Sequence, residues 1–572
     1  MSVLNRATKE ALAAIGAALP GVSVGPDDLG ATPKPEMGDL AFACFGAAKT
    51  LKKAPPQIAK EVAAAAKTAG LIAKLEAVGP YVNVFFDKTA FAAAVVDDIA
   101  SAPQDYGATP AIGKKMMIEY GSVNTHKEVH VGHLRNVCLG LAAVNLRRAA
   151  GYEVIPAYYI GDVGAHVAKW LWYYRKKRSD DASEDVRAFG KIYTEATRLA
   201  ESDEKYKEEI AAVLRKLEEH DPEWEALWLK TRDICLREIE RIFAELGATF
   251  EKKYLESEVE APGKEAVKEL LKGGIAKVGE REAIIVDLEP DDLGIFLVLK
   301  GDGSALYSTK ELALAKKKFE EFPNLAESVH IVDSRQSLYF KQLFATLKKM
   351  GFDKPMTHLG YEFVTLKEGA MSSRKGNIVA YEDFRDELLT HSAKETATRH
   401  ADWSKEKTDR IAWAIAEGAM KFGMLKQDND RPIVFDIEAA LAFDGFTGPY
   451  IQYAHARLAS ILAKAGKEGP SSSKAGKTVS FAGPVDAGEY AVLRVAADLP
   501  DIAAKAAAAY RPSLLCQYLF DLAQATNDFY RDVPILAAAE ADRERRLAIA
   551  QAVKAALARG LALLGIRAPD EM

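Results

Sequence analysis

Residues 119–133 read E-Y-G-S-V-N-T-H-K-E-V-H-V-G-H, from Glu119 to His133. Just before it, residues 114–120 (K-K-M-M-I-E-Y) have the short apolar run of a buried strand. Just after it, Leu134, Val137, Leu141 and Val144 recur at helical spacing until Gly151 stops the pattern. A strand, a tight loop and a helix N-terminus make a ready anion site, because unpaired backbone N–H groups point at the ligand there. Gly132 lets backbone approach a nucleotide closely. His130 and His133 can donate to phosphate oxygens, and donation is worth most where negative charge builds up. Residues 152–160 (Y-E-V-I-P-A-Y-Y-I) supply a second strand, so the stretch predicts a βαβ unit, the seed of a parallel sheet.

Taken alone, H-x-x-H describes two ordinary surface or capping histidines. The longer run resembles the HIGH signature of class I aminoacyl-tRNA synthetases. Its lead-in is similar to the arginyl-tRNA synthetase form E-x-x-S-x-N-x-x-K-x-x-H-x-G-H, on whose positions Glu119, Ser122, Asn124, Lys127, His130, Gly132 and His133 fall. The resemblance implies an α/β fold with a Rossmann-type parallel-sheet catalytic domain. It also implies the reaction: L-arginine is activated with ATP, accompanied by Mg²⁺, and passed to the 3′ end of tRNA(Arg). His130, Gly132 and His133 would bind ATP, and these with Lys127 would stabilise the developing charge.

A second site reads A-M-S-S-R-K-G-N over residues 370–377. Hydroxyls and cations between glycines can follow the charge on a leaving pyrophosphate. The run resembles the KMSKS loop of the same class, with Ala370 in place of the first lysine and Ser373 in place of the second. The resemblance assigns catalysis to Ser372, Ser373, Arg374 and Lys375, and ATP contact to Met371 and Lys375. In arginyl enzymes a lysine upstream of HIGH is thought to stand in for the missing loop lysine, and Lys127 matches that position.

A third site, Y-S-T-K-E-L-A at 307–313, follows the turn signal G-D-G. Tyr307 and Glu311 lie four apart at a strand-to-helix boundary, so both can face one pocket. The run is similar to the family's Y-x-T-R-D, with Lys310 and Glu311 replacing Arg and Asp. Guanidinium recognition demands fixed carboxylates in planar geometry. Glu119 and Glu311 supply two acids, while Ser122, Asn124 and Gln336 add neutral groups. Gln336 lies in V-D-S-R-Q-S-L-Y-F, where Tyr339 takes the place of the family's histidine. A neutral side chain in such a pocket would leave buried carboxylates unpaired. G-D-V-G at 161–164 either lines the pocket or shapes a turn, and its pattern favours neither.

A chain of 572 residues exceeds one core. We expect an N-terminal α+β appended domain over 1–112, the catalytic domain over 113–435 with a helical insertion near 175–225, and an all-α anticodon-binding bundle over 436–572. Residues 41–51 read as helix, 102–113 as a linker, the insertion's charges as a solvated face, and 466–477 as a mobile loop. The resemblance assigns tRNA contact to Tyr81, Asn83, Tyr453, Arg457, Asn527, Tyr530 and Met572. A net charge of −6 excludes a uniformly basic coat, so RNA contact must come from local patches and shape. The four cysteines are too far apart for a Cys-x-x-Cys motif, and no protein metal site is expected. No apolar run approaches the roughly 20 residues of a membrane helix, and the N-terminus lacks a signal-peptide core. A cytoplasmic monomer is expected. Alternatives left standing are another class I synthetase such as the lysyl enzyme, a non-catalytic tRNA-binding paralogue, and an unrelated nucleotidyltransferase.

Overall fold

In this computed structural model, residues 2–177, 186–367, 379–466 and 484–572 are described. The chain opens with β1 (Leu29–Ala31), β2 (Leu40–Ala43), β3 (Ile72–Val78) and β4 (Tyr81–Phe86), an antiparallel sheet in the order β1-β2-β4-β3. Helices Val3–Ala18 and Pro55–Ala65 pack on it. Residues 41–51 are therefore not one helix. Leu40–Ala43 pairs with β4, which sends Phe42 into the core at 2% exposure, and helix begins only at Phe45. Strand pairing has overridden the helical preference of alanine.

The segment 102–113 is pinned rather than free. Thr109 and Ile112 donate backbone N–H groups to the carbonyls of Ala149 and Gly151, and the buried Tyr106 hydroxyl reaches the Ala496 carbonyl at 3.2 Å. Gly151 has φ +86°, and a Cβ there would strike the Pro110 carbonyl, so the turn admits only glycine.

Beyond it come β5 (Lys115–Glu119), β6 (Glu153–Ile160), β7 (Lys252–Leu255), β8 (Ala276–Val278), β9 (Ile284–Asp287), β10 (Ile295–Leu299), β11 (Leu325–Asp333), β12 (Met356–Tyr361), β13 (Val364–Leu366) and β14 (Ile433–Phe435). Five of these form the central sheet, β12-β11-β5-β6-β7, parallel throughout. β8, β9 and β10 form a separate antiparallel sheet, and β13 pairs with β14. In the central sheet the chain runs outward from β5 to β7 on one side and from β11 to β12 on the other. The direction of winding thus reverses between β5 and β11, where open α/β sheets bind ligands beyond their carboxyl ends.

Between β6 and β7 lie helices Ala165–Lys177, Val186–Ser202, Glu204–Glu218 and Pro222–Glu245. They are not merely a solvated charged face. Trp170, Trp172, Phe189, Ile210, Val213 and Trp224 form their own buried core, and the charges occupy the outer sides of amphipathic helices. From Gly448 onward the described residues form helices only, among them Gly448–Lys464, Pro512–Asp532 and Glu540–Leu563. The N-terminal unit rests on this bundle: Asn5 Nδ2 donates to Asp501 Oδ1 at 2.8 Å, and the Tyr490 hydroxyl donates to Asp39 Oδ1 at 2.5 Å. Residues 467–477 of the expected mobile loop lie outside the described residues.

Candidate functional site

β5 delivers Glu119 to the sheet's carboxyl edge, and helix Val131–Ala149 begins after the loop that follows. Asn136, one turn into the helix, accepts from the Gly121 N–H and donates from Nδ2 to the Ile331 carbonyl at 2.7 Å. That amide fixes the loop against β11. His126 is fully buried in the left-handed region at φ +62°. Its ring bridges the hydroxyls of Thr125 and Thr231 at 2.9 Å each, tying the loop to helix Pro222–Glu245.

His130 is the N-cap of its helix. Its Nδ1 accepts from the Gly132 N–H at 3.1 Å, and His133 Nδ1 accepts from the His130 N–H at 3.2 Å. The rings stack with centroids 3.7 Å apart. Burial depresses both imidazoles, helped at His130 by Lys127 and at His133 by His130 and Lys127. His130 falls to about 4 and His133 well below its ordinary range, so both are neutral at pH 7. With Nδ1 accepting, each neutral ring carries its proton on Nε2. The pair is thus two uncharged N–H donors at a helix N-terminus. Lys127 is half-buried over the Tyr193 ring at 5.2 Å, and burial lowers its pKa.

The expected KMSKS-like residues Met371, Ser372, Ser373, Arg374 and Lys375 lie outside the described residues. Their flanks are fixed. Lys367 N–H donates to the Phe435 carbonyl, while Val131 and Tyr381 exchange backbone bonds with Val379 and Val129, at 3.1 and 2.8 Å. The chain after the segment is therefore laid directly along the histidine pair.

The two expected acids are both buried and differ in state. Glu119 Oε2 lies 2.5 Å from Lys318 Nζ, and Oε1 lies 3.3 Å from His330 Nδ1. Burial alone would raise its pKa, but Lys318 and His330 outweigh it and hold the carboxyl below the usual range. Glu119 is therefore ion-paired with Lys318, although its Oε2 and the Lys318 Nζ form no hydrogen bond among the described residues. Glu311 has a buried Oε2 with no hydrogen-bond partner among the described residues. Burial, then the charge of Glu119, pushes it up to about 8. The hydroxyls of Tyr159 and Tyr339 are likewise buried and unpartnered, and burial followed by the Glu311 charge drives both well above the ordinary phenol range. A third acid, Glu256, is paired with Lys310 at 2.7 Å.

Tyr307 stands at the mouth, 56% exposed. Ser122 is half-buried, and the Asn124 side chain packs so close to Gly161 that a Cβ there would strike it. Gln336 is exposed and forms no hydrogen bond through its side chain among the described residues. Asp162 shapes a turn: its carboxylate accepts from the Ser257 N–H at 2.9 Å and hydroxyl at 2.7 Å. His166, just beyond, has a buried Nε2 without a hydrogen-bond partner among the described residues, and burial followed by Lys127 lowers it to about 3. Residue patterns did not single out Lys310, Lys318, Tyr159, Tyr339, Glu256 or His166 as site groups. For Lys318 a signal existed: it follows Glu311 by two helical turns and so shares its face.

Away from this edge, Tyr81 is 41% exposed against the ring of Phe45. Asn83 is 2% exposed, so its amide is not presented to a surface partner as expected. In the helical bundle the Arg457 guanidinium lies over the rings of Tyr453 and Tyr530, at 4.8 and 4.5 Å, and donates to Asn527 Oδ1 at 2.8 Å. Met572 offers its carbonyl to His400 Nε2 at 3.0 Å.

Three family models match the chain: "Arginyl tRNA synthetase N terminal domain" over residues 3–86, "tRNA synthetases class I (R), catalytic domain" over 96–437, and "DALR anticodon binding domain" over 451–572. An arginine–tRNA ligase of Bdellovibrio bacteriovorus is 39% identical, over 98% of this chain and 97% of its own length. One from Streptococcus agalactiae is 35% identical, over 95% of both. Among solved structures, the arginyl-tRNA synthetase of Thermus thermophilus superposes with a TM-score of 0.77 at 28% identity, covering 99% of this chain and all of that one. By its site, its sheet and these matches along its whole length, the chain belongs to the arginyl-tRNA synthetase family.

Proposed function

We propose the following division of roles in the reaction of this chain, the ATP-dependent joining of arginine to its tRNA. Arginine lies across the carboxyl ends of β5 and β6, with its guanidinium against Glu311, Tyr159 and Tyr339 and its backbone end toward Ser122 and Asn124. Tyr307 closes the mouth, and Glu119 lines the floor. Gln336 would have to turn inward to contribute. ATP sits on the helix N-terminus, its phosphates at His130, Gly132, His133 and Lys127.

The arginine carboxylate attacks the α-phosphate in line, the bond to pyrophosphate breaks, and arginyl-adenylate forms. Positioning and charge stabilisation carry such a transfer, so no side chain need act as a nucleophile. The two Nε2–H groups donate to oxygens gaining charge without adding a cation that would bind the ground state equally well. The parts of Met371, Ser372, Ser373, Arg374 and Lys375 rest on their sequence pattern. Mg²⁺ would travel with the triphosphate. Among the described residues no three His, Cys, Asp or Glu side chains converge to hold it. The terminal ribose hydroxyl of tRNA then attacks the activated carbonyl, and AMP leaves.

We divide the chain into an appended domain (1–112), a catalytic domain (113–435) and an anticodon-binding bundle (436–572). Tyr81 would stack on a splayed base at one end. Tyr453, Arg457, Asn527, Tyr530 and Met572 would form the contact at the other. The chain would act as a monomer in the cytoplasm. No described helix is long and apolar enough to cross a membrane.

The observation that carries the arginine assignment is the buried Glu311 Oε2 beside the Tyr159 and Tyr339 hydroxyls at the sheet's switch point, all three without a hydrogen-bond partner among the described residues. Charging of tRNA with a panel of amino acids tests it. Arginine alone should be accepted, with lysine and citrulline rejected by at least about 1,000-fold, since rejecting a mismatched polar partner is costly. Efficient charging with lysine would overturn the assignment.

A further inference from the structure

The helices between β6 and β7 grip the loop that leads to the histidine pair, and they do so through three consecutive residues. The His126 ring lies against Trp170 and Phe189, with centroids 5.0 and 6.5 Å away, and Trp170 Nε1 donates to the Phe189 carbonyl at 2.9 Å. Glu128 packs so closely on Gly190 that a Cβ there would strike its side chain. Between them, Lys127 Nζ stands 5.2 Å from the ring centroid of Tyr193, within reach of a cation–π attraction. Tyr193 lies four residues past Phe189 and three past Gly190 on helix Val186–Ser202, so the three share a face.

Lys127 has no stronger hold than this ring. Among the described residues its ammonium forms no ion pair and no hydrogen bond. Glu256, whose charge reaches it, is paired with Lys310 at 2.7 Å. A second cation, Lys169, stands 5.4 Å from the same centroid but has a partner of its own in Thr197 Oγ1 at 3.4 Å. Tyr193 also faces the mouth of the site, since burial, then Glu256, then Tyr193 raise the Tyr307 phenol.

We propose that Tyr193 is a positioning residue for the activation step: its ring face holds the Lys127 ammonium toward the phosphates of ATP, so that the helices between β6 and β7 act on catalysis through one lysine. This rests on the placement of Lys127 at the phosphates and goes beyond it by naming what aims the side chain. A ring face suits the task better than an acid. A carboxylate against Lys127 would cancel its charge toward phosphate and occupy its N–H donors, whereas the negative face of an aromatic ring fixes the ammonium and leaves that charge whole. The attraction is also modest enough for the ammonium to lean toward oxygens that gain charge as pyrophosphate departs.

A double-mutant cycle in the full-length protein tests this, read as ATP–pyrophosphate exchange in the presence of tRNA, with kcat and the arginine KM taken separately. Tyr193→Leu should lower kcat about tenfold and leave the arginine KM within about threefold. Tyr193→Phe keeps the ring face and should stay within about threefold of the parent in kcat. In the Lys127→Ala protein, itself slower than the parent, Tyr193→Leu should cost less than about twofold more, because a group that acts through Lys127 then has nothing to hold. An equal cost in both backgrounds would overturn the proposal, since the ring would only be packing the helices together. So would a Tyr193→Phe protein as slow as Tyr193→Leu, which would assign the effect to the hydroxyl. Parental exchange in Lys127→Ala is a distinct result: it removes Lys127 from the phosphates, and the proposal goes with it. If Tyr193→Leu does not fold, Tyr193→Met is read in its place, and failure of both to fold overturns the proposal in favour of a structural ring.

Discussion

At the residue scale the site is a set of groups whose protonation states are fixed by burial. His130 and His133 are neutral donors because their Nδ1 atoms are engaged with backbone N–H groups and because burial disfavours the imidazolium. Removing one such donor costs about 100-fold or more in rate. His133→Ala should therefore slow arginyl-adenylate formation by about 100-fold or more, seen as lost ATP–pyrophosphate exchange in the presence of tRNA. Unchanged exchange would remove His133 from the mechanism. Glu311 makes a prediction of opposite chemical character. Burial and the Glu119 charge push its carboxyl up to about 8, so in the free protein it is largely protonated at pH 7. Arginine keeps its charge throughout this range and needs the carboxylate, so its binding must expel a proton below that pH and none above it. Arginine affinity should rise as pH increases toward 8 and then level off. Calorimetry in two buffers of different ionisation heat should show proton release at pH 7. Glu311→Gln should lose both the pH dependence and most of the arginine affinity while keeping ATP binding.

At the element scale, the strand–loop–helix unit was legible from 119–133 because its chemistry is local: an apolar strand, a cap and an amphipathic helix are all written in consecutive residues. The pocket opposite was not, because its pairs cross the sheet. Lys316, Lys317 and Lys318 are consecutive and alike in sequence, yet helical register leaves the first two partly exposed and buries the third against Glu119. Likewise β12 (M-T-H-L-G-Y) is too polar to read as a buried strand and is fixed by parallel pairing with β11. Asn83 shows the converse. Its resemblance to a surface contact was plain in sequence, but pairing within the N-terminal sheet buries it. Arg135 shows how one element holds the next. Two positions past His133 and 2% exposed, it donates to the carbonyls of Glu362, Asp428 and Arg431, at 2.5, 3.2 and 2.9 Å. These carbonyls precede β13 and β14, so the histidine helix fixes the base from which residues 368–378 depart. Arg135→Met would leave several buried carbonyls without donors, each costing about 1–3 kcal/mol. We expect the first thermal transition to fall and activity to fall with it. A variant melting like the parent would show that water takes over the carbonyls and that the tie is dispensable.

At the scale of the whole molecule the ends of the chain are stitched to its middle. The C-terminal segment runs back from helix Glu540–Leu563 to the catalytic side. Gln452 Nε2 donates to the Arg567 carbonyl at 2.8 Å, and His455 Nδ1 lies 2.9 Å from the Pro569 carbonyl. Lys421 Nζ donates to the Gly565 carbonyl at 2.5 Å while pairing with Glu417 at 2.7 Å, both side chains 1% exposed, and Arg567 approaches Glu417 at 3.2 Å. Gly565 in turn abuts Leu141 of the histidine helix, and Asn145 Nδ2 of that helix donates to the Ala562 carbonyl at 3.2 Å. The tail thus touches the element that carries His130 and His133 as well as the bundle that carries Tyr453 and Arg457. Deleting residues 567–572 keeps the Lys421–Gly565 bond but removes the bonds at Arg567, Pro569 and Met572 and leaves Glu417 without its arginine. At about 1 kcal/mol per ordinary hydrogen bond, more where a charge is stripped of its partner, the loss is roughly 3–5 kcal/mol. Because the chain has several units, the bundle should melt first rather than the whole molecule in one step. We therefore expect a separate, lower thermal transition in the shortened protein, with the KM for tRNA raised by at least about tenfold and arginine and ATP binding within about threefold of the parent. If tRNA charging survives deletion at parental KM, the tail is packing alone. If arginine and ATP binding fall as far as tRNA binding, the disturbance has spread past the retained Gly565 to the histidine helix, and the tail belongs mechanically to that helix.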